Sequence, residues 1–216
     1  MHIEPGFIAP VKLVLANLGA VAILGRHLPG LLVSPILASR TLLAALFFSL
    51  FMQSFHLNVG PSELHFVGAM ALYLTLGFTP TLFGFALGLL LQGLIFEPGD
   101  LPHLAVNSLS LVVPLIAVHH TLGKGLLEGR RSLDWREIVR LDALYYAGVT
   151  TMVGFWLMIG EGETPFASWV AFAASYLGVV VLEPVVTMTA VRLLKQRQAH
   201  LLVDRCFSLR ALRVEG

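Results

Sequence analysis

The stretch FASWVAFAASYLGVVVLEPVVTMTAVRLL, residues 166–194, decides the fold class of this chain. Its only charged side chains are Glu183 and Arg192, and it exceeds the roughly 20 apolar residues that a helix needs to cross a bilayer. Similar runs fill most of the 216 residues, of which 56% are hydrophobic and 12% charged, whereas about 25% of a soluble domain is charged. The sequence therefore predicts an all-α integral membrane protein.

Seven apolar segments predict a bundle of about seven transmembrane helices. The bundle would occupy about residues 1–195 and a polar cytoplasmic tail 196–216, as one transmembrane domain over 1–216. The third and fourth segments are shorter than a crossing, so a six-span alternative merges this pair or makes it re-entrant. The segments are Phe7–Leu24, Pro35–Leu57, Leu64–Gly77, Thr81–Phe96, Leu104–Leu122, Leu144–Ile159 and Phe166–Leu194.

The positive charges predict an orientation. Of the 14 Lys and Arg residues, all except Lys12 flank the first connection, lie in the fifth connection or lie at the C-terminus, and the second, fourth and sixth connections contain none. Cytoplasmic loops of membrane proteins carry this excess of positive charge. The N-terminus is therefore expected outside and the C-terminus inside, as an odd number of spans requires. Lys12, one turn into the first segment, is expected to extend to the outer interface.

Other classes of protein are disfavoured. The single cysteine, Cys206, excludes a disulfide within the chain, and a net charge of +1 offers no basis for nucleic-acid binding. A membrane metallohydrolase would need a histidine and carboxylate pattern such as His-Glu-x-x-His, which is missing. The chain also lacks a phosphate-binding loop, so it cannot drive transport alone. We therefore expect neither an enzyme nor a bound cofactor.

The predicted outer face collects histidines and acids, including Glu4, His56, Glu63, His65 and His103. Imidazole suits Ni, Co, Cu and Zn, although outer-loop side chains are often simply solvated.

The N-terminus strengthens the case for a metal. Met1 is expected to be retained because His2 is too bulky for removal of the initiator. The terminal amine, the amide nitrogen of His2 and its Nδ1 can then form two fused chelate rings. One further imidazole would complete a square-planar set that favours Ni(II) or Cu(II) and is open to low-spin Co(II). Because the amide must lose its proton, affinity should rise with pH. His65 is the best fourth ligand, with His56 and His103 as runners-up.

Several residues inside the segments have two interpretations. Glu183, followed by Pro184, is a functional candidate because intramembrane carboxylates are costly, but a neutral, hydrogen-bonded structural role is equally open. The small-residue pairs Ala16/Ala20 and Gly84/Gly88 predict close helix packing, with partner docking as the alternative. The charged stretch 134–140 reads as an interfacial helix or a partner contact.

Three motifs carry a family resemblance. Met1-His2-Ile3-Glu4-Pro5-Gly6-Phe7-Ile8 resembles the N-terminal signature of the CbiM/NikM family, the substrate-binding membrane components of cobalt and nickel energy-coupling-factor (ECF) ABC transporters. Gly60-Pro61-Ser62-Glu63-Leu64-His65 resembles the family's Gly-Thr-Ser-x-His segment with one residue inserted. Ala105-Val106-Asn107-Ser108-Leu109-Ser110 resembles its Gly-Val-Asn-x-x-Asn stretch.

The resemblance implies a seven-helix bundle whose metal is held by Met1, His2 and the histidine that maps to His65. It also implies a bacterial or archaeal inner-membrane location, a transmembrane coupling subunit and two cytoplasmic ATPases. Asn107, Ser110, Glu4 and Glu63 are candidates to support the ligands, although Ser110 and Ala105 depart from the family's Asn and Gly. Two alternatives stay open: an ATPase-independent metal channel or sensor, and, less favoured, a membrane metalloenzyme.

Overall fold

A computed structural model describes residues 8–59, 62–161 and 166–215, without the side chains of His56, Asn58, Val59, Ser62 and Glu63. In this part the chain is almost entirely helical. Two short hairpin strands and a short parallel strand pair join the helices. The elements are α1 Pro10–Leu32, α2 Pro35–Ser54, β1 His56–Val59, β2 Ser62–His65, α3 Ala69–Leu76, α4 Phe78–Ile95, a 3₁₀ turn Pro98–His103, α5 Leu104–Val118, a π turn His119–Gly123, α6 Lys124–Leu127, β3 Ser132–Leu133, α7 Trp135–Ile159, α8 Phe166–Gln196, α9 Leu201–Cys206 and β4 Arg213–Val214.

Each predicted apolar segment coincides with a helix, and the all-α membrane class is confirmed. Among the residues that the structure describes, five helical stretches are long and apolar enough to cross a membrane: α1, α2, α4, α8 and the run Pro98–Leu127 that contains α5. Helix α3 has only 8 residues, and α7 begins with charged turns. The count of seven spans and the orientation of the termini therefore remain predictions.

Glycines allow α2 and α4 to pack closely. A Cβ on Gly84 would lie 2.4 Å from the Ala44 Cβ, and one on Gly88 would lie 2.3 Å from the Phe48 ring. The packing prediction for this pair is thus confirmed. Ala16 and Ala20 are also buried within the protein, in a cluster with residues of α5, as internal packing predicts.

Helix α3 is a half-length helix in the interior, and all of its residues are buried. It is preceded by the antiparallel hairpin β1–β2, in which His56 pairs with His65. Gly68 opens α3 with φ of 63°, and the Phe51 ring occupies the position a Cβ would need. Gly77, with φ of 98°, turns the chain directly into α4. Helix α3, which is too short to cross a bilayer, therefore lies inside the bundle, where short helices are tolerated at membrane depth.

Helix α7 begins nine residues before the predicted Leu144. The Asp134 side chain accepts a hydrogen bond from the Glu137 backbone N–H at 2.7 Å, which caps the helix at its N-terminus. The stretch 134–140, interpreted above as an interfacial helix or a partner contact, forms the cap and first turns of α7. Asp142, which lies before the predicted sixth segment, is fully buried inside the bundle.

The C-terminal tail packs against the bundle. Arg40 of α2 donates hydrogen bonds to the carbonyls of Arg205 and Phe207 at the end of α9, where helix carbonyls lack partners. Leu209 and Leu212 are buried, and β4 pairs with β3. The tail therefore closes one end of the bundle.

The two ends of the bundle are distinct. The His65 end contains the start of α1, the β1–β2 hairpin, the start of α5 and the end of α7. The Arg131 end contains the α1–α2 turn, the α3–α4 turn, residues 119–135 and the tail.

Candidate metal site

His65 is the last residue of β2, three positions before the glycine that opens α3. Its residue is only 6% exposed, and its Nδ1 lies 3.5 Å from the Met52 carbonyl oxygen. An Nδ1–H that faces a carbonyl leaves the basic lone pair on Nε2, one of the two ring nitrogens through which histidine binds metals. A buried imidazole held by a hairpin is well suited to be one ligand of an enclosed site.

The N-terminal residues predicted to complete the site, Met1 and His2, lie outside the described residues, as does Glu4. Ile8, the first residue that the structure describes, is only 3% exposed. It packs in a cluster with Val106 of α5 and Trp156 of α7. Six residues after His2, the chain is therefore already inside the His65 end.

Lys12, whose extension to the outer interface stays a prediction, contacts the end of α7. Its Nζ donates to the carbonyl of Ile159, the last residue of α7. A cation at a helix C-terminus is stabilised by the helix dipole. This contact ties the start of α1 to α7 at the His65 end.

The predicted supporting residues separate into three cases. Asn107 is buried at the start of α5. Ser110 is also buried; its hydroxyl donates to the Val106 carbonyl and accepts from Trp156 Nε1 at 3.1 Å, so it joins α5 to α7 within the cluster that surrounds Ile8. The side chain of Glu63 lies outside the described part of the protein.

His103 is not the solvated residue expected of an outer loop, since it is 2% exposed. Both of its ring nitrogens are buried and find no hydrogen-bond partner in the described part of the chain. Within residues 8–59, 62–161 and 166–215, no three or more His, Cys, Asp or Glu residues are grouped so that they could hold a metal ion. The described part thus contains His65 but no complete set of ligands.

The sequence did not predict that Asp142 and Glu183 lie side by side. Glu183 Oε1 accepts a hydrogen bond from the Met70 backbone N–H at 3.0 Å, and its Oε2 accepts one from the Tyr146 hydroxyl. The carboxyl of Asp142 lies beside it, and both acids are fully buried. The i, i+4 spacing of Asp142 and Tyr146 could have indicated a shared helix face, but not that this face meets α8.

A second group that the sequence did not indicate lies at the Arg131 end. The Tyr73 hydroxyl is 2.9 Å from His119 Nδ1, and the Phe78 ring stacks on His119 with 4.0 Å between ring centroids. His27 and His120 contact the same phenyl ring edge-on. The π turn that begins at His119 directs these rings toward the α3–α4 turn.

The comparisons agree with the resemblance noted above. A family model described as the cobalt uptake substrate-specific transmembrane region (CbiM) matches residues 2–201. No curated protein and no solved structure matches the chain significantly.

Proposed function

Since the chain belongs to the cobalt uptake substrate-specific transmembrane (CbiM) family, we propose that it captures Ni(II) or Co(II) at its outer face. In this proposal the ion is bound by the Met1 amine, by the amide and imidazole nitrogens of His2, and by the His65 imidazole. The family consists of transport components rather than enzymes. The ion is therefore cargo, and the protein's task is selective capture.

The location of His65 is the observation that carries the proposal. It is a buried histidine on a hairpin, at the same end of the bundle where the chain near the N-terminus is already buried. A histidine that served only the hairpin could remain solvated. Its burial beside the Met52 carbonyl supports a fixed ring orientation, which a planar metal site requires.

The choice of metal rests on two arguments. The family match indicates cobalt uptake. A planar set of four nitrogens, three of them from the first two residues, suits Ni(II) best and low-spin Co(II) next. We therefore propose a site that binds both ions and excludes Mg²⁺ and Ca²⁺, which prefer oxygen ligands.

Delivery of the ion needs partners. We propose that a transmembrane coupling subunit and two cytoplasmic ATPases drive transport, because the chain has no phosphate-binding loop of its own. The Arg131 end is the proposed docking side, since it carries the basic loop and the packed tail. In the proposed orientation this end faces the cytoplasm of a bacterial or archaeal cell.

A channel or sensor that works without ATPases is the second candidate, because this sequence contains no ATPase and does not itself require one. The two cases differ in one measurement. Metal uptake by cells that express this chain alone would favour the channel, whereas uptake that requires co-expressed ATPases supports the proposal. A membrane metalloenzyme is less favoured, since the sequence has no His-Glu-x-x-His pattern.

A His65→Ala variant tests the site. We expect Ni(II) and Co(II) affinity, measured by titration of the purified protein, to fall at least about tenfold, because one of four nitrogens is lost. The matched control is His200→Ala, which removes an exposed imidazole from the tail and should leave binding unchanged. Wild-type affinity in the His65→Ala variant would contradict the proposal. A loss in both would indicate binding by surface histidines.

A further inference from the structure

Two acids meet in the interior of the bundle, away from the proposed metal ligands. Asp142 is on α7 and Glu183 is on α8, and each is 0% exposed. Their carboxyl groups are neighbours. Buried ionised carboxylates are costly to desolvate, and two adjacent charges repel one another strongly in a medium of low dielectric. The two carboxyl groups therefore cannot both be ionised at the same time.

Glu183 is surrounded by donors. It accepts a hydrogen bond from Met70 N–H at 3.0 Å and one from the Tyr146 hydroxyl, and the N–H groups of Gly68 and Ala69 also face it. These N–H groups form the N-terminus of α3, which has no side-chain cap from Gly68. An ionised carboxylate at this position satisfies the orphan donors and is stabilised by the positive end of the helix.

Asp142 has the opposite surroundings. Neither of its oxygens is reached by a hydrogen-bond donor in the described part of the protein. The nearby polar groups are Glu183 on α8 and the tyrosines Tyr145, Tyr146 and Tyr176. No Lys or Arg among residues 8–59, 62–161 and 166–215 forms an ion pair with either acid.

We propose that Asp142 and Glu183 form a proton-binding site inside the membrane domain, with the proton on Asp142 and the negative charge on Glu183. The Asp142 O–H donates toward the Glu183 carboxylate, which gives Asp142 its missing partner. The pair then carries one negative charge, and the N-terminus of α3 neutralises it. This assignment goes beyond the proposed metal capture and does not depend on it.

The proton site has a consequence for the His65 end. Glu183 fixes the first turn of α3, which begins four residues after His65. A second ionised carboxylate at Asp142 would repel Glu183 and weaken its hold on that turn. Glu183 is thus a positioning residue for the segment that carries His65, and the proton on Asp142 keeps it in place.

Infrared spectroscopy of the full-length protein in lipid nanodiscs tests the assignment directly. A protonated carboxyl group gives a carbonyl stretching band that ionised acids lack, and exposed acids are ionised at neutral pH. We expect one such band in the wild-type protein. It should shift when the aspartates carry ¹³C in the side-chain carboxyl group, and it should stay when the glutamates are labelled instead.

Two variants assign the band to a residue. Asp142→Asn should abolish it, whereas Asp134→Asn, which changes an N-cap at the helix start, should leave it unchanged. The isotope experiment decides the question in wild-type protein even if Asp142→Asn does not fold. The absence of a band, a shift on glutamate labelling, or a band that persists in folded Asp142→Asn would each overturn the proposal.

Discussion

The two ends of the bundle differ in the kind of polar side chains they hold and in how these are paired. At the Arg131 end, Glu137 binds both Arg131 at 2.5 Å and Arg140 at 2.9 Å. Asp204 pairs with Arg210, whose hydrogen bonds hold the pKa of that carboxyl below its usual value. Arg40 closes the end of α9. The acids Glu137 and Asp204 at this end are thus each paired with arginines of the same chain.

The His65 end is marked by buried imidazoles. His65 and His103 are both nearly inaccessible. Between the two ends lies the buried carboxyl pair that caps α3. The Arg131 end thus contributes ion pairs to the stability of the fold, whereas we propose that the His65 end binds the metal ion, and the predictions below test these two roles.

The largest effect is expected from removing the cap on α3. In Glu183→Ala, the Met70 N–H and the Tyr146 hydroxyl lose their acceptor inside an apolar bundle. Unsatisfied buried polar groups cost about 1–3 kcal/mol each. We expect a loss of at least about 3 kcal/mol in the free energy of unfolding, measured by equilibrium unfolding in mixed micelles.

Glu161→Ala is the matched control, since Glu161 is exposed near the end of α7. Its free energy of unfolding should equal that of the wild type. If Glu183→Ala were as stable as this control, the cap on α3 would not contribute to the free energy of unfolding. The proposal that Glu183 positions the segment with His65 would then be wrong.

Removing the hydroxyl of one of two adjacent tyrosines should have a smaller effect on the free energy of unfolding. The Tyr146 hydroxyl donates to Glu183, while the Tyr145 hydroxyl is buried and has no hydrogen-bond partner among the described residues. Tyr146→Phe should destabilise the protein by about 1 kcal/mol, within the range measured for hydrogen bonds between membrane helices. Tyr145→Phe should be neutral or slightly stabilising, because no hydrogen bond is lost. Equal losses in the two variants would show that the hydroxyl of Tyr146 plays no special part.

The smallest effect is expected at the Arg131 end. Glu137→Gln removes the charge between Arg131 and Arg140, whose side chains are 41% and 63% exposed. Solvent screening limits such pairs, so we expect a loss of about 0.5 kcal/mol in the free energy of unfolding. Affinity for Ni(II) and Co(II) should be unchanged. A fall in metal affinity in this variant would show that the two ends are coupled rather than separate.

Much of this fold follows from hydropathy. All seven apolar segments correspond to helices, because long apolar runs in a bilayer have to satisfy their own backbone hydrogen bonds. The start of α7 at Trp135 was missed since Arg136, Glu137 and Arg140 look like a surface stretch. A charged first turn can continue a helix when a cap such as Asp134 begins it.

The candidate site was only partly predictable. His65 was identified from its motif and its place before a short apolar segment, and its burial agrees with a role as ligand. The partnership of Asp142 with Glu183 could not be predicted, because it depends on which faces of α7 and α8 meet across the bundle. The burial of His103 depends in the same way on tertiary packing.

The most direct test of the central claim changes the N-terminus and nothing else. One alanine placed before Met1 moves the terminal amine out of the chelate while His65 and the bundle stay as they are. We predict that native protein binds one equivalent of Ni(II) or Co(II), measured by mass spectrometry, and that the extended protein, equally folded, retains almost none. Equal metal occupancy in the two proteins would contradict the account.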